Sequence, residues 1–282
     1  SIVTVRGQVQ VRDGQFVAGA NNASTTFSGI MSGTGSFTKD GAGPLTLTGA
    51  NTYTGTTTIA NGTLALGASH VLANATSLTI SNGATFAAGT GVTDTIAGLT
   101  TNATSTISLA ANSVFTIDRA SASTLLGSLT GTGTLAYTGG GDLTIGSNLD
   151  FSNGTLAFGG TTIGGTPTST LFLGSAVVLG TLHITGDTIL DFGNSSASTL
   201  DTTNFKIDSG VRITIMNWVE SIDYFNAQNW LAGTTPPNLG DRGVVCSVPW
   251  LALGILNDGK HGVADRQPGR PQLAQHLWPM LP

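Results

Sequence analysis

The sequence predicts an all-β chain, a stack of short parallel strands wound as a solenoid. Three observations predict it: a composition poor in charge and rich in glycine, a pair of self-similar segments, and a recurring turn followed by alternating apolar residues. Only 9% of the 282 residues are charged and 6% aromatic, against 40 glycines and 39% hydrophobic residues. Disorder requires low hydrophobicity and high net charge, and a net charge of -5 with mean hydropathy of +0.20 excludes it. Thr, Ser, Gly, Asn and Leu dominate residues 19–210 while helix formers are scarce, the usage of short strands broken by turns.

Self-similarity comes first, because a repetitive chain is read as stacked units before any motif is weighed. Gly33–Leu47 (GTGSFTKDGAGPLTL) aligns with Gly131–Ile145 (GTGTLAYTGGGDLTI) at an offset of 98, and Asn61–Gly67 (NGTLALG) aligns with Asn153–Gly159 (NGTLAFG) after a shortened loop. A weaker unit, a turn pair followed by alternating apolar residues, recurs more often. It occurs at Asn61-Gly62 with Leu64 and Leu66, Asn82-Gly83 with Phe86, Asn112-Ser113 with Phe115 and Ile117, Asn153-Gly154 with Leu156 and Phe158, and Ser209-Gly210 with Ile213 and Ile215. These starts lie 21, 30, 41 and 56 residues apart, and Leu182 with Ile184, or Phe205 with Ile207, fill the longer intervals. Coils of roughly 20 to 30 residues follow.

Period-two alternation sends Leu64 and Leu66 to one face of a strand and Thr63 and Ala65 to the other. A coil this short cannot bury its own apolar side chains, so it stacks on its neighbours in parallel, with like residues in columns. Each buried Leu, Ile or Phe contributes about 1.5–3 kcal/mol. Gly and Asn are expected at corners that need positive φ, and β-branched Thr suits the outer face of the strands.

The segment from Lys39 through Gly41, Gly43, Leu45-Thr46-Leu47 and Asn51-Thr52-Tyr53-Thr54-Gly55 to Thr63-Leu64 resembles the autotransporter-associated β-strand repeat. In the copy near Gly131, Tyr137 replaces Lys39 and the Asn-Thr-Tyr-Thr-Gly element is missing. The resemblance implies a right-handed parallel β-helix within a large exported protein, and no particular activity. Residues 211–245 (VRITIMNWVESIDYFNAQNWLAG onward) are similar to the end of the repeat region in bacterial proteins with a PEP-CTERM sorting tag, although the tag itself does not follow. Beyond Val245 the composition changes: residues 246–282 hold five of the nine prolines, two of the four tryptophans and no Thr. That tail reads as disordered, frameshifted or non-native.

The organisation expected is therefore a β-helix over 1–215, with repeat copies near 30–67 and 128–159, an aromatic cap-like segment over 216–245, and the atypical tail 246–282. Trp218, Tyr224, Phe225 and Trp230 form the one aromatic concentration. Covering the open end of a solenoid is the favoured reading, with a carbohydrate-stacking platform or a partner-docking patch as alternatives. The 13-residue apolar run from Val244 to Leu256 falls short of the roughly 20 residues a spanning helix needs. Ten scattered Lys and Arg argue against nucleic acid. Lone Cys246 allows no internal disulfide. The chain opens at Ser1 with no charged and apolar leader, so an export signal, like a translocator or anchor, is expected outside it.

Candidate chemistry is sparse. Asp187 and Asp191 share one face of GDTILDFG, and Asp118 adjoins Arg119, an arrangement that a polysaccharide lyase or hydrolase on an outer strand face would need. No Lys or Arg lies near the Asp187–Asp191 pair in sequence, which favours Asp187 opening a turn and Asp191 as a solvated or column-forming residue. Gly139-Gly140-Gly141-Asp142 is a single fragment of a calcium nonapeptide and fits a tight corner better. His70, His183, His261 and His276 lack ligand spacing, and His183 is expected to point outward. Gly33-Thr34-Gly35 lacks a phosphate loop's context, and Asn22, Asn74 and Asn102 form Asn-X-Ser/Thr triplets by composition alone. No catalytic, cofactor-binding or metal-ligating residue is assigned, and no cofactor. The expected role is a non-catalytic structural or adhesive solenoid at the surface of a Gram-negative bacterium, meeting host or matrix glycans or surface proteins. A polysaccharide-active enzyme and a carbohydrate-binding module are the alternatives.

Overall fold

The computed structural model describes residues 3–246 apart from 6, 13, 20–21, 119–121, 147, 161, 164–165, 168, 175, 194–197, 212, 218–223 and 233–243. The described residues form strands and corners with no helix, stacked as a parallel β-solenoid. The sole antiparallel pair among them is the small hairpin Thr162–Ile163 with Thr166–Pro167.

Each turn of the chain passes over three faces. The first is a seven-stranded sheet from Val3–Val5 through Leu45–Leu47 and Thr63–Leu66 to Ser128–Gly131. The third is an eleven-stranded sheet from Gln15–Ala18 to Val244–Cys246. Between them, the second face starts as the pair Gln8–Gln10 and Ile30–Ser32, is interrupted, and resumes as a seven-stranded sheet from Thr93–Ile96 to Tyr224–Ala232. The first two faces merge at Leu149–Phe158, a ten-residue strand paired along both ends with Ala176–Ile184 and carrying a bulge between Phe151 and Thr155. Parallel pairing continues into the segment expected as a cap, where Tyr224–Ala232 lies in register on Thr199–Ile207.

Alternation builds the core as expected. On the first face Leu45, Leu64, Phe86, Ile107 and Leu129 stack in one inward column, none more than 3% exposed. On the second, Phe115, Leu135, Leu156, Leu182 and Phe205 form another. Phe86 and Phe115 join the columns across the core, ring centroids 4.5 Å apart. Thr38, Thr58, Thr79, Thr100, Thr124 and Thr144 stand in register along the third face on the side opposite the core column.

Two features of the repeats differ from their sequence spacing. The turn–strand units occupy different faces: Thr63–Leu66 and Thr85–Ala88 the first, Val114–Ile117 and Leu149–Phe158 the second, Ile213–Met216 the third. Their spacing therefore mixes corners, whereas one turn spans 20 or 21 residues where Phe37 pairs Thr57, Thr57 pairs Leu78 and Leu78 pairs Leu99. The two long copies are likewise rotated by one face. Ser36–Lys39 and Leu45–Leu47 lie on the third and first faces, while Thr134–Tyr137 and Leu143–Ile145 lie on the second and third. A strand–corner–strand unit whose strands both alternate inward and outward fits any two adjacent faces.

The corners explain the shared glycines. Gly33 and Gly131 have φ of 113° and 99°, and a Cβ on either would lie 2.1 or 2.0 Å from the carbonyl oxygen beneath, of Val11 and Leu109 respectively. In the Asn61-Gly62 turn the left-handed residue is Gly62, at φ 65°. Among the asparagines, Asn22, Asn112, Asn148 and Asn217 adopt that conformation.

Because Phe86 touches both columns, Phe86→Ala is expected to lower stability by about 3–5 kcal/mol. Urea denaturation followed by circular dichroism checks this, and a change below about 1 kcal/mol would show that the stack closes over the cavity.

Candidate functional site

Several polar residues of the repeat segment, Lys39, Asn51, Tyr53 and Thr57 among them, lie inside the fold. Lys39 ends the strand Ser36–Lys39, takes an inward position in the column with Ala18 and Ile59, and has no exposed surface. Its Nζ donates to three backbone carbonyls, of Asp40 at 2.9 Å, Gly41 at 2.6 Å and Asn61 at 3.1 Å. Three donors meet three acceptors at a corner where carbonyls turn inward. Burial pushes the ammonium below its ordinary pKa, and the Asp40 carboxylate pulls it partly back. Asp40 itself is held below the usual carboxylate range by hydrogen bonds from the Asn61 side chain (2.8 Å) and the Gly41 amide (2.7 Å), with Lys39 adding to them. Gly19 makes the room, since a Cβ there would lie 3.1 Å from the Lys39 side chain.

Asn51 and Asp94 close the interrupted second face. Between Ile30–Ser32 and Thr93–Ile96 the chain crosses this face twice without forming a strand. Asn51, 5% exposed, accepts from the Met31 amide at 2.7 Å and donates to the Val71 carbonyl at 2.7 Å and the Gly49 carbonyl at 3.0 Å. One carboxamide thus spans three successive turns. From the next turn, Asp94 Oδ2 accepts from the amides of Val71 (2.7 Å) and Leu72 (3.1 Å), and its Oδ1 from Thr95 (2.8 Å). Desolvation raises the Asp94 pKa against the lowering effect of those three donors.

Tyr53, from the same Asn-Thr-Tyr-Thr-Gly element, is 1% exposed beside Phe37. Its hydroxyl bonds Thr57 Oγ1 at 2.5 Å, Thr57 bonds Thr76 at 2.8 Å, and Thr76 donates to the Gly55 carbonyl at 2.9 Å. In the second copy Tyr137 stands where Lys39 stands in the first, fully buried, and donates to the Asp142 carbonyl of its own corner at 3.2 Å. Both phenols are pushed up to about 12, burial being the leading cause.

The sequence candidates fall elsewhere. Asp191 is 8% exposed, and its Oδ1 accepts from the Gly193 amide and from Asn217 Nδ2, each at 2.8 Å, a corner-closing role. Asp187 lies between the bend at Gly186 and the strand Thr188–Asp191. Asp118 accepts from Thr138 at 3.0 Å, while Arg119 lies outside the described residues. Asp142 accepts from the Thr170 amide at 2.9 Å, which ties the Gly-rich corner to the next turn. Asn22 accepts from the Ala42 amide at 2.6 Å. Phe225 packs edge-on to Phe205 with centroids 4.9 Å apart, and Tyr224 is exposed. Trp218, the Trp230 side chain and residues 247–282 lie outside the described residues.

One cluster escaped the sequence reading. His183 points outward, as expected, and its Nε2 lies 2.8 Å from Asp208 Oδ1, with Lys206 Nζ 3.8 Å from the same oxygen. His183 and Lys206 are register partners on strands 23 residues apart, a distance no local motif bridges. No three potential metal ligands meet among the described residues, and no helix there is long and apolar enough to cross a membrane.

The polar interior generates two predictions. Lys39→Met leaves three inward carbonyls without their donor and is expected to cost about 2 kcal/mol or more in thermal or urea unfolding. The tyrosines predict a pH dependence. A phenol whose folded pKa exceeds its unfolded value of 10.0 contributes stability fully present below pH 10 and lost as pH rises through about 12. Urea midpoints measured across that window are expected to fall with pH, and the slope to flatten in a Tyr53→Phe, Tyr137→Phe double variant.

Residues 37–66 match the family model described as the passenger-associated-transport-repeat. No curated protein and no solved structure matches the chain. The matched stretch contains Lys39, Asn51, Tyr53 and Thr57, the residues whose side chains close the corner and the interrupted face. Residues 37–66 thus match a passenger-associated transport repeat, and the β-solenoid in which they sit is an architecture that fits such a repeat.

Proposed function

We propose that this chain is part of a secreted, surface-displayed adhesive solenoid of a Gram-negative bacterium, without catalytic activity of its own. The repeat supports the export route, because such repeats belong to autotransporter passengers. The observation that carries the non-catalytic reading is where the repeat's chemistry sits: Lys39, Asn51 and Tyr53 are buried and bonded within the fold. A reacting group must reach its substrate, and these do not. In this reading residues 216–245 cover the end of the stack, and the partners are glycans or surface proteins met by the outer strand faces.

His183 with Asp208 and Lys206 supports the polysaccharide-active alternative, since it joins a base and two charged groups on an outer strand face. Supplied with a signal peptide and an outer-membrane β-barrel translocator, the chain is expected to appear on intact cells, accessible to added protease. It should also raise attachment to glycan- or protein-coated surfaces above a barrel-only control. Retention in the periplasm, or attachment equal to the control, overturns the adhesive reading. Release of reducing or unsaturated ends from polysaccharides by the wild type but not by His183→Ala would establish the alternative.

A further inference from the structure

The merging of two faces leaves a feature on the outside of the solenoid. Ser128–Gly131 ends at the corner that separates the first and second faces, whereas the next strand, Leu149–Phe158, runs straight across that corner on its bulge. Where the cornered turn meets the straight one, a groove of about 380 Å³ opens. Its volume falls within the ~300–1,000 Å³ range of small-ligand sites.

Six polar side chains line it: Ser128 and Thr130 on one strand, Asp150, Ser152 and Asn153 on the other, and Asn148 in the turn that precedes it, all exposed. Leu129 and Phe151 lie beneath it with their side chains turned into the core, 1% and 2% exposed, so the groove itself is lined by the polar side chains. Gly154 makes room for the Phe151 ring in the core below, since a Cβ at 154 would fall 2.0 Å from the ring. Asp150 accepts from the Ser152 amide at 3.0 Å, which with the Ser152 hydroxyl holds the carboxyl below its usual range. The lining therefore combines one ionised acceptor, three hydroxyls and two carboxamides, with no Lys, Arg or His.

We propose that this groove binds a neutral sugar unit, and so supplies a glycan contact for the adhesive role, on which the proposal rests. A pyranose presents several hydroxyls at once; each can donate to a carboxylate or carboxamide oxygen and accept from a carboxamide or hydroxyl, and the lining offers both. Anionic sugars are disfavoured, because Asp150 repels them with no cation in the groove to offset it. Lipids and apolar ligands are disfavoured because the exposed walls are polar. The groove has no exposed aromatic platform, so a single site is weak, and display of many copies on a cell would supply avidity.

Saturation-transfer NMR on the purified chain tests this with methyl α-mannoside, methyl β-galactoside and N-acetylglucosamine as neutral probes and N-acetylneuraminic acid as the anionic probe. At least one neutral probe is expected to bind in the millimolar range, and to lose tenfold or more affinity in Asp150→Ala and in Asn153→Ala with unchanged melting temperature. Failure of all neutral probes, stronger binding of the anionic one, or binding untouched by both substitutions overturns the proposal. Calcium is a control: a calcium-induced rise in melting temperature that Asp150→Ala abolishes, without sugar binding, identifies a cation site instead and also overturns it. Cells displaying Asp150→Ala separate this from the broader reading. If they still attach as wild type, adhesion stands and the groove is not its contact.

Discussion

The structure depends on the axial hydrogen-bond ladder running unbroken from turn to turn, because each turn is too short to fold alone and is held by pairing with its neighbours. On the first and third faces, strand pairing carries most of the ladder, with side chains such as Ser123, which accepts from the Leu99 amide, adding to it on the third. On the second face the strands lapse between Ile30–Ser32 and Thr93–Ile96, and side chains take over. Asn51 does so because a carboxamide carries a donor and an acceptor in the arrangement of a peptide group, so it can accept from Met31 below and donate to Val71 above. Asp94 continues the work with acceptors only, directed at amides. Burying either group would be costly without these partners, so each fixes its part of the backbone as firmly as a strand would.

Lys39 solves a related problem at the corner. Backbone carbonyls that turn inward at a tight bend need donors, and a buried ammonium supplies three from a single flexible stem. In the second copy a phenol does a smaller version of the same task, Tyr137 donating to one carbonyl of a corner built from three glycines. The substitution is tolerable because that corner is also tied to the following turn through Asp142 and Thr170. Such an interior leaves those buried side chains out of reach of solvent, and only the outer strand faces and corners are open to it. The outer faces carry mainly Thr, Ser and Asn, with charge gathered near His183, Lys206 and Asp208.

The resemblance around Lys39 was legible because its residues are contiguous in sequence, and the match at 37–66 confirms that stretch. What the lysine does was not legible, since its third acceptor, Asn61, lies on the next turn 22 residues on. The same holds for Asp94, which the sequence did not single out and whose amide partners lie 22 and 23 residues earlier. His183 and Asp208 are 25 apart. Contacts at the distance of one turn become visible only when the length of each turn is known, and that length varies with the corner insertions.

The sequence by itself determined that the chain is all β, which side chains face inward, and that strands must stack. Those properties follow from period-two alternation and from units too short to bury themselves, both of which are local. Tertiary structure decided which face each unit occupies. The Gly33 and Gly131 copies, near-identical in pattern, settle on different pairs of faces because alternation and a glycine corner are indifferent to the face they join. It also decided where the second face needs Asn51 and Asp94, and where the merging faces open a groove beside Asp150. Each of these depends on the register between turns, a quantity set by stacking rather than by any one turn.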